Sequence, residues 1–490
     1  VNALMETGAL VQLYGGEKER AALVICPNEE YAGIAPSIRA TGFQEKGFGD
    51  IRGTASENIQ RLRTEIEALE AERAQLEARL AAFAPKREEI RRALDGAAID
   101  RDREQSKEAL AHTKTAFLLT GWVREDMTEK VRREIEKITD VYYLVFEDPS
   151  EGDAVPTVLK NSRLITPYEA VTNLYSLPAY GTIDGTPLMA PFYFIFFGMM
   201  LSDTVYGAVL ALGAWAFLKY IKPRGMMENL AKVLLMGGIS TIFMGLLFGT
   251  CAGVSWPVIF RGTALENTFP IIDSSADPIA MLALCAAMGI IQMFYAVFIA
   301  AYSCIKHRDW AGAIVDNLSW VFIITGLLLM AAPSLGLPAA LGTAGKWMAI
   351  GVAAVVLLFA GRSKKNVAGR LMSGAGKLYD VTSWLGDVLS YARIFALGLS
   401  TGVIGLVLNT LCWDMLFASF KGNPVLMVVG FIIVTVLSVA LHAFMMAIST
   451  LGCFVHSARL QYVEFFGKFY EAGGKAFKPL RYETKYVNVK

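Results

Sequence analysis

Charge is what this sequence has little of. Asp, Glu, Lys and Arg make up 19% of its 490 residues, 54% are hydrophobic, and mean hydropathy is positive; a soluble protein of this length carries more charge and less apolar residue. The 46 basic and 45 acidic side chains leave a formal net charge of +1, so nothing argues for nucleic acid as a partner. Cysteine is sparse as well. Cys26, Cys251, Cys285, Cys304, Cys412 and Cys453 are scattered, with no CxxC pair and no histidine at metal-ligand spacing, and read as small apolar residues. A phosphate-binding loop is also missing: the Gly-Lys pairs at 345–346, 376–377 and 474–475 lack both the spaced glycine before and the Ser/Thr after. No ATP hydrolysis and no cofactor are therefore expected of this chain. No signal peptide precedes its polar beginning, and a first residue other than Met reads as a chain with residues missing upstream.

The charge that exists is unevenly spread, crowding into roughly the first 165 residues and the last 30. This predicts a cytoplasmic arm over 1–155, a connector over 156–189, a membrane domain over 190–470 and a cytoplasmic tail over 471–490. Within the arm, the apolar run 20–26 reads as a buried strand of a small α/β lobe. Ile59, Leu62, Ile66, Leu69, Leu76 and Leu80 follow a heptad rhythm interrupted at Arg73. Pro85 should end that helix, after which a second charged helix to about Leu110 would run back beside it as an antiparallel coiled coil. Strand 115–123, amphipathic helix 128–138 and strand 141–146 would form a second lobe. The Pro- and Gly-rich stretch from Pro156 to Pro191 is expected to be irregular. The fold class is thus mainly α: an elongated arm of two lobes on a coiled coil, and a polytopic helical membrane domain.

Seven apolar segments are long enough to cross a hydrocarbon core of about 30 Å, near 190–221, 228–255, 279–304, 313–332, 346–361, 382–412 and 423–460. With a cytoplasmic arm, seven crossings would leave Lys222/Arg224, Lys306/Arg308 and Arg362/Lys364/Lys365 outside, against the positive-inside bias. One additional crossing repairs all three. The stretch 188–221 is long enough for a hairpin turning near Ser202-Asp203, so eight spans are expected, with both termini cytoplasmic.

The last two segments carry the chemistry. Between Asp387 and Asp414 the only formal charge is Arg393, and an arginine inside an apolar span costs several kcal/mol without the escape of losing its proton. A snorkelling arginine is the plain alternative. From Gly422 to Ala458 there is no formal charge, about 55 Å of helix at about 1.5 Å per residue, ended by Arg459. That is too long for an upright span, and an unbroken tilted helix is preferred to a break at Gly452.

Three stretches carry a resemblance: Ser390-Tyr391-x-Arg393-x-x-Ala396-Leu397-x-Leu399, the run His456-Ser-Ala-Arg459-Leu-Gln461-Tyr-Val-Glu464-Phe-Phe-Gly-Lys468-Phe-Tyr-Glu471, and Phe196-Phe-Gly-Met-Met-Leu-x-Asp203-x-x-Tyr206-Gly207. They resemble the penultimate helix, last helix and first membrane hairpin of subunit a, or subunit I, of V/A-type (vacuolar/archaeal-type) rotary ATPases. Gly121-Trp122-Val123 is similar to the family's proximal lobe. The resemblance implies a non-catalytic stator beside a rotating proteolipid (c/K) ring whose membrane carboxylates carry H⁺ or Na⁺. Two offset half-channels would feed the ring, and the arm would meet E/G-type peripheral stalk subunits. Central stalk subunits, ATP-hydrolysing A/B-type subunits and the lipid bilayer complete the implied partners, in a prokaryotic plasma membrane.

Arg393 and Arg459 match the family's two membrane arginines, Arg393 being expected as the essential one; a fixed cation there would discharge a passing carboxylate and block a leak. Some members carry an acid ten residues before the Arg459 position and a histidine eight after the Arg393 position, where this chain has Ser449 and Thr401. Half-channel candidates are therefore Asp203, Asp387, His456, Gln461, Glu464 and Ser449. Beside four of them stands a plainer role: a turn cap for Asp203, an interhelical hydrogen bond for His456, pairing with Arg459 for Gln461 and Glu464. A self-contained secondary transporter would need an internal repeat with interrupted helices, and none is visible between 190–330 and 331–470. A coiled-coil receptor would leave the arginines without purpose.

Overall fold

The computed structural model describes residues 10–15, 20–27, 29, 33, 53–108, 110–150, 152–259, 261–262, 277–336, 338–362, 366–420, 424–479 and 484–486. The chain is mostly helical and divides into two compact units, residues 1–119 with 480–490, and residues 120–479.

In the first unit, β1 (Leu10–Gly15) and β2 (Arg20–Ile25) form an antiparallel hairpin with Leu10 opposite Ile25. The strand at 20–26 is present, but Leu23 and Ile25 are exposed, which corrects the expectation of a buried strand. A two-stranded ribbon has no second layer to cover it. Helix α1 (Ala55–Ala82) starts on a capping box, Thr54 accepting from the Glu57 N–H while the Glu57 carboxylate accepts from that of Thr54. A 3₁₀ turn at Ala84–Lys86, carrying Pro85, ends it before α2 (Arg87–Glu108). Both arm helices stand where the heptads and the proline put them. Their seam does not close: Ile59, Leu62, Ile66, Leu69, Leu76 and Leu80 remain 51–74% exposed. On α2 the carboxylate of Asp95, itself buried, accepts the backbone N–H groups of Lys485 and Tyr486 at 3.0 and 2.9 Å. The Arg91 guanidinium lies over the Tyr486 ring at 5.3 Å.

The second unit opens with α3 (Thr128–Ile138), formed as its amphipathic pattern predicts. The strands expected on either side are not formed as drawn. Only Ala111–His112 (β3) and Phe117–Leu118 (β4) pair, in the first unit, and 141–146 is extended without a ladder. β-propensity alone does not make a strand where no partner edge is offered. The connector is irregular except for α4 (Glu169–Tyr175), whose Ala170, Val171 and Thr172 are buried. It is held to the C-terminal end of the chain. Strand β7 (Ala472–Ala476) runs parallel to β5 (Pro156–Thr157) and antiparallel to β6 (Leu177–Pro178). The hydroxyls of Tyr462 and Tyr470 donate to the carbonyls of Val171 and Ser176 at 2.5 and 2.7 Å.

Among the described residues, seven helical stretches are long and apolar enough to cross a membrane: 204–221, 226–248, 278–306, 312–331, 339–359, 367–420 and 424–468. An apolar helix of 16 residues, α5 (Thr186–Leu201), precedes them. Between α5 and α6 (Thr204–Ala216) the chain reverses on Ser202, a non-glycine residue in the left-handed region at φ 37°. Asp203 caps α6, its Oδ1 accepting from Val205 and Tyr206 at 3.0 Å each. Glycine lets these helices meet α7 (Met226–Phe248) almost at backbone contact. A Cβ on Gly207 would stand 2.8 Å from the Ile242 nitrogen, and one on Gly198 would stand 2.8 Å from the Ser240 carbonyl. Met199, Phe196 and Phe197 of α5 are buried where these helices meet. Helix α8 (Pro278–Lys306) contributes Gly289, where any added Cβ would run into the Tyr391 ring. The last long helix, which we label α10 (Pro424–Arg459), follows α9 (Ala392–Asn409) and runs unbroken through Gly452 for 36 residues, as preferred from sequence.

Gly207→Ala should lower stability by about 1–3 kcal/mol through backbone overpacking, whereas Gly213→Ala, with no atom within 4 Å of the added carbon, should be neutral or stabilising; tryptophan-monitored unfolding in mild detergent checks both. Asp95→Ala should speed tryptic cleavage after Lys485 by about ten-fold, the equivalent of about 1.4 kcal/mol of lost charge-assisted hydrogen bonding, as read by mass spectrometry of the released peptide.

Candidate functional site

Helices α9 and α10 pack antiparallel. Near the Asn409 end, Asn409 Oδ1 lies 3.1 Å from His442 Nε2, and the rings of Trp413 and Phe431 are 5.7 Å apart. At about 1.5 Å per residue, Arg393 lies about 24 Å from Asn409 along α9, and Arg459 about 25 Å from His442 along α10. The two arginines therefore come to the same level, and each feels the other's charge. Arg393 is half-buried and Arg459 exposed. Ile448, Leu451, Val455 and Arg459 follow one another at helical spacing and are all exposed, an apolar face ending in a cation.

Around the arginines the sequence candidates separate. Glu464 is 2% exposed, with Arg393 and Asp387 among the charges acting on it. His456 shares the field of both arginines. Gln461 is fully buried, and its Oε1 accepts from Gln292 Nε2 at 2.6 Å, while the Tyr391 hydroxyl donates to Gln292 Oε1 at 2.9 Å. Asp387 is instead the ion-pair partner of Lys468 at 2.6 Å, and Lys468 also lies over Trp384 at 4.3 Å. Ser449 is half-buried on α10, ahead of Arg459. Asp203 belongs to a different cluster: besides capping α6, its Oδ2 accepts the Gly253 N–H at 2.9 Å. The capping role weighed for it is present in the structure.

Six buried side-chain atoms have no hydrogen-bond partner among the described residues: Thr204 Oγ1, Arg393 Nη1, Thr450 Oγ1, His456 Nδ1, Gln461 Nε2 and Glu464 Oε2. Five of the six belong to Arg393 or to residues 450–464. Each such group costs about 1–3 kcal/mol when left unpaired, so the open valences gather on the arginine-bearing surface.

Sequence reasoning passed over Gln292, Asn409 and His442, and gave Tyr391 and Tyr206 no role. The available signal was isolation. Gln292 is a lone amide in the apolar run 278–300, and His442 is one of only four histidines, set in a stretch without formal charge.

The sequence pattern that defines the V-type ATPase 116kDa subunit family matches residues 383–482, the stretch holding both arginines. The A-type ATP synthase subunit I of Methanocaldococcus jannaschii is 30% identical over 94% of this chain and 68% of its own length. That of Pyrococcus horikoshii is 34% identical over 78% of this chain and 56% of its own. The V-type ATP synthase subunit I of Borreliella burgdorferi is 24% identical over 74% of this chain and 60% of its own length. The chain therefore belongs to the subunit I family of the A-type and V-type ATP synthases.

Proposed function

We propose that the chain is the non-catalytic membrane stator of a V/A-type rotary ATPase, offering two ion half-channels to a proteolipid ring so that H⁺ or Na⁺ movement is coupled to ATP turnover. The observation that carries this reading is the set of open polar valences on Arg393 and residues 450–464, beside the exposed apolar face that ends in Arg459. A guanidinium with a free donor fits a carboxylate brought to it by a partner, and an apolar face fits a helical ring in lipid. Arg393 acts as the essential cation and Arg459 as its partner. Glu464, Gln461 and His456 line the approach to them, with Ser449 above them, while Asp387 anchors the end of the last helix through Lys468.

The arm, with its exposed heptad seam, joins the peripheral stalk E/G-type subunits, and central stalk and A/B-type subunits complete the complex. Eight crossings place the arm and both ends of the chain on the cytoplasmic side of a prokaryotic plasma membrane. The α5–α6 hairpin supplies the extra crossing.

In vesicles carrying the assembled complex, Arg393→Ala should cut ATP-driven ion uptake by about a hundred-fold or more with assembly intact, and Arg459→Ala should lower it less; uptake near the parent level with Arg393→Ala would remove the central residue of this mechanism. Impermeant maleimide should label Arg224→Cys from the same side as Arg73→Cys, and Asp277→Cys from the other. Labelling of Arg224→Cys from the side opposite the arm would mean that the α5–α6 hairpin does not cross.

A further inference from the structure

A second polar cluster lies away from the arginines, built from four separate parts of the chain. The Tyr206 hydroxyl of α6 is 2.6 Å from His442 Nδ1, and His442 Nε2 is 3.1 Å from Asn409 Oδ1. Asn409 Nδ2 donates to the Ala252 carbonyl at 2.7 Å, and Asp203 accepts from Gly253 in the same 250–255 turn. The Asn409 donation fixes its amide so that the oxygen faces the imidazole. Nε2 of His442 must then carry a hydrogen, and Nδ1 is left to accept from Tyr206. Tyr206 and Asp203 are buried, whereas His442 and Asn409 are half-buried, which makes them the partly exposed members of the cluster.

We propose that His442 is the proton-exchange station of the outer half-channel, and hence that the ion carried by this chain's complex is the proton; this rests on the translocating role proposed above. A proton from outer-side water adds to Nδ1, the Tyr206 hydroxyl rotates from donor to acceptor, and loss of the same proton toward the ring restores the neutral imidazole. The O–H bond of a hydronium breaks as the Nδ1–H bond forms, that N–H bond breaks as an O–H bond forms on the proteolipid ring's carboxylate, and one positive charge moves. Asn409 holds the ring in place throughout, and the Asp203 carboxylate acts on both Tyr206 and His442 through its field. The groups in contact with His442 are Tyr206 from the hairpin and Asn409 from α9; Asp203 acts on it through its charge, and Cys251 of the 250–255 turn lies in the field of the same carboxylate. Burial, and then the Asp203 carboxylate, push the Cys251 thiol up, so it stays uncharged. Sodium fits this cluster poorly. The Asp203 oxygens already accept three N–H groups and the Asn409 oxygen faces the imidazole, so what the cluster offers a passing ion is an imidazole nitrogen and a hydroxyl rather than the several oxygens a hard cation takes.

The test uses the assembled complex in inverted membrane vesicles, whose lumen corresponds to the outer side, with lumenal pH preset across the range from about 5 to 8 where a histidine titrates. The parent should show a one-proton step in ATP-driven acidification against lumenal pH. His442→Gln, which keeps a donor and an acceptor, should lower the initial rate by about ten-fold and remove the step. Tyr206→Phe should shift the step and lower the rate less. A parent-like rate and step in His442→Gln would overturn the inference; where that variant does not assemble, a parent-like profile in Tyr206→Phe does the same. Uptake that requires Na⁺ and survives a protonophore would overturn the proton assignment. Arg393→Ala in the same vesicles separates the two proposals, because parent-like uptake there would sink the translocating role itself, whereas loss there beside a parent-like His442→Gln would sink only the exchange station.

Discussion

Inside a hydrocarbon layer no water satisfies a polar group, so every donor and acceptor on these helices has to find its partner within the protein or in something the protein meets. That constraint sorts the buried polar side chains of this chain into two kinds. Asp203, Gln292, Tyr391, Asn409 and Tyr206 close onto other parts of the chain, and each closure ties helices that are distant in sequence. Arg393, His456, Gln461 and Glu464 keep an atom open. Closed groups hold the bundle together, and most of the open ones cluster around the two arginines.

Asp203 shows how much one closed group can fix. Its two oxygens accept three backbone N–H groups, which start α6, steady the left-handed turn at Ser202 and tie down the turn at Gly253. A carboxylate with 1% of its residue exposed is tolerated there because its charge is shared over those donors. The glycines of α6 and α7 then bring the two backbones close enough for the hairpin to lie flat along its neighbour.

Much of the architecture was legible in the sequence because it depends on local periodicity and on charge. The helices at 55–82 and 87–108 stand where the heptads and Pro85 put them, and the apolar segments follow the hydropathy. The nearness of the two arginines was legible for the same reason, since each is an isolated cation in or at the end of a long apolar run. What could not be read were pairings between residues far apart along the chain. Tyr206 and His442 are 236 positions apart, and Gln292 and Gln461 are 169 apart; no window of sequence holds both. The heptad seam of α1 illustrates the opposite failure. Its pattern was correct, but a pattern states only that a stripe is apolar, not what will cover it, and here it lies exposed.

The three-stranded clasp of β5, β7 and β6 joins residues 156–157 and 177–178 to residues 472–476. The two backbone strands that leave the membrane-embedded region are thus fastened to each other just before they pass into the rest of the chain. A load arriving along either strand is met first by this seam, where parallel and antiparallel ladders share it in shear, and by the Tyr462 and Tyr470 hydroxyls beside it. Tension reaching residue 477 along the chain would have to unzip this seam before it could displace the last helix and Arg459.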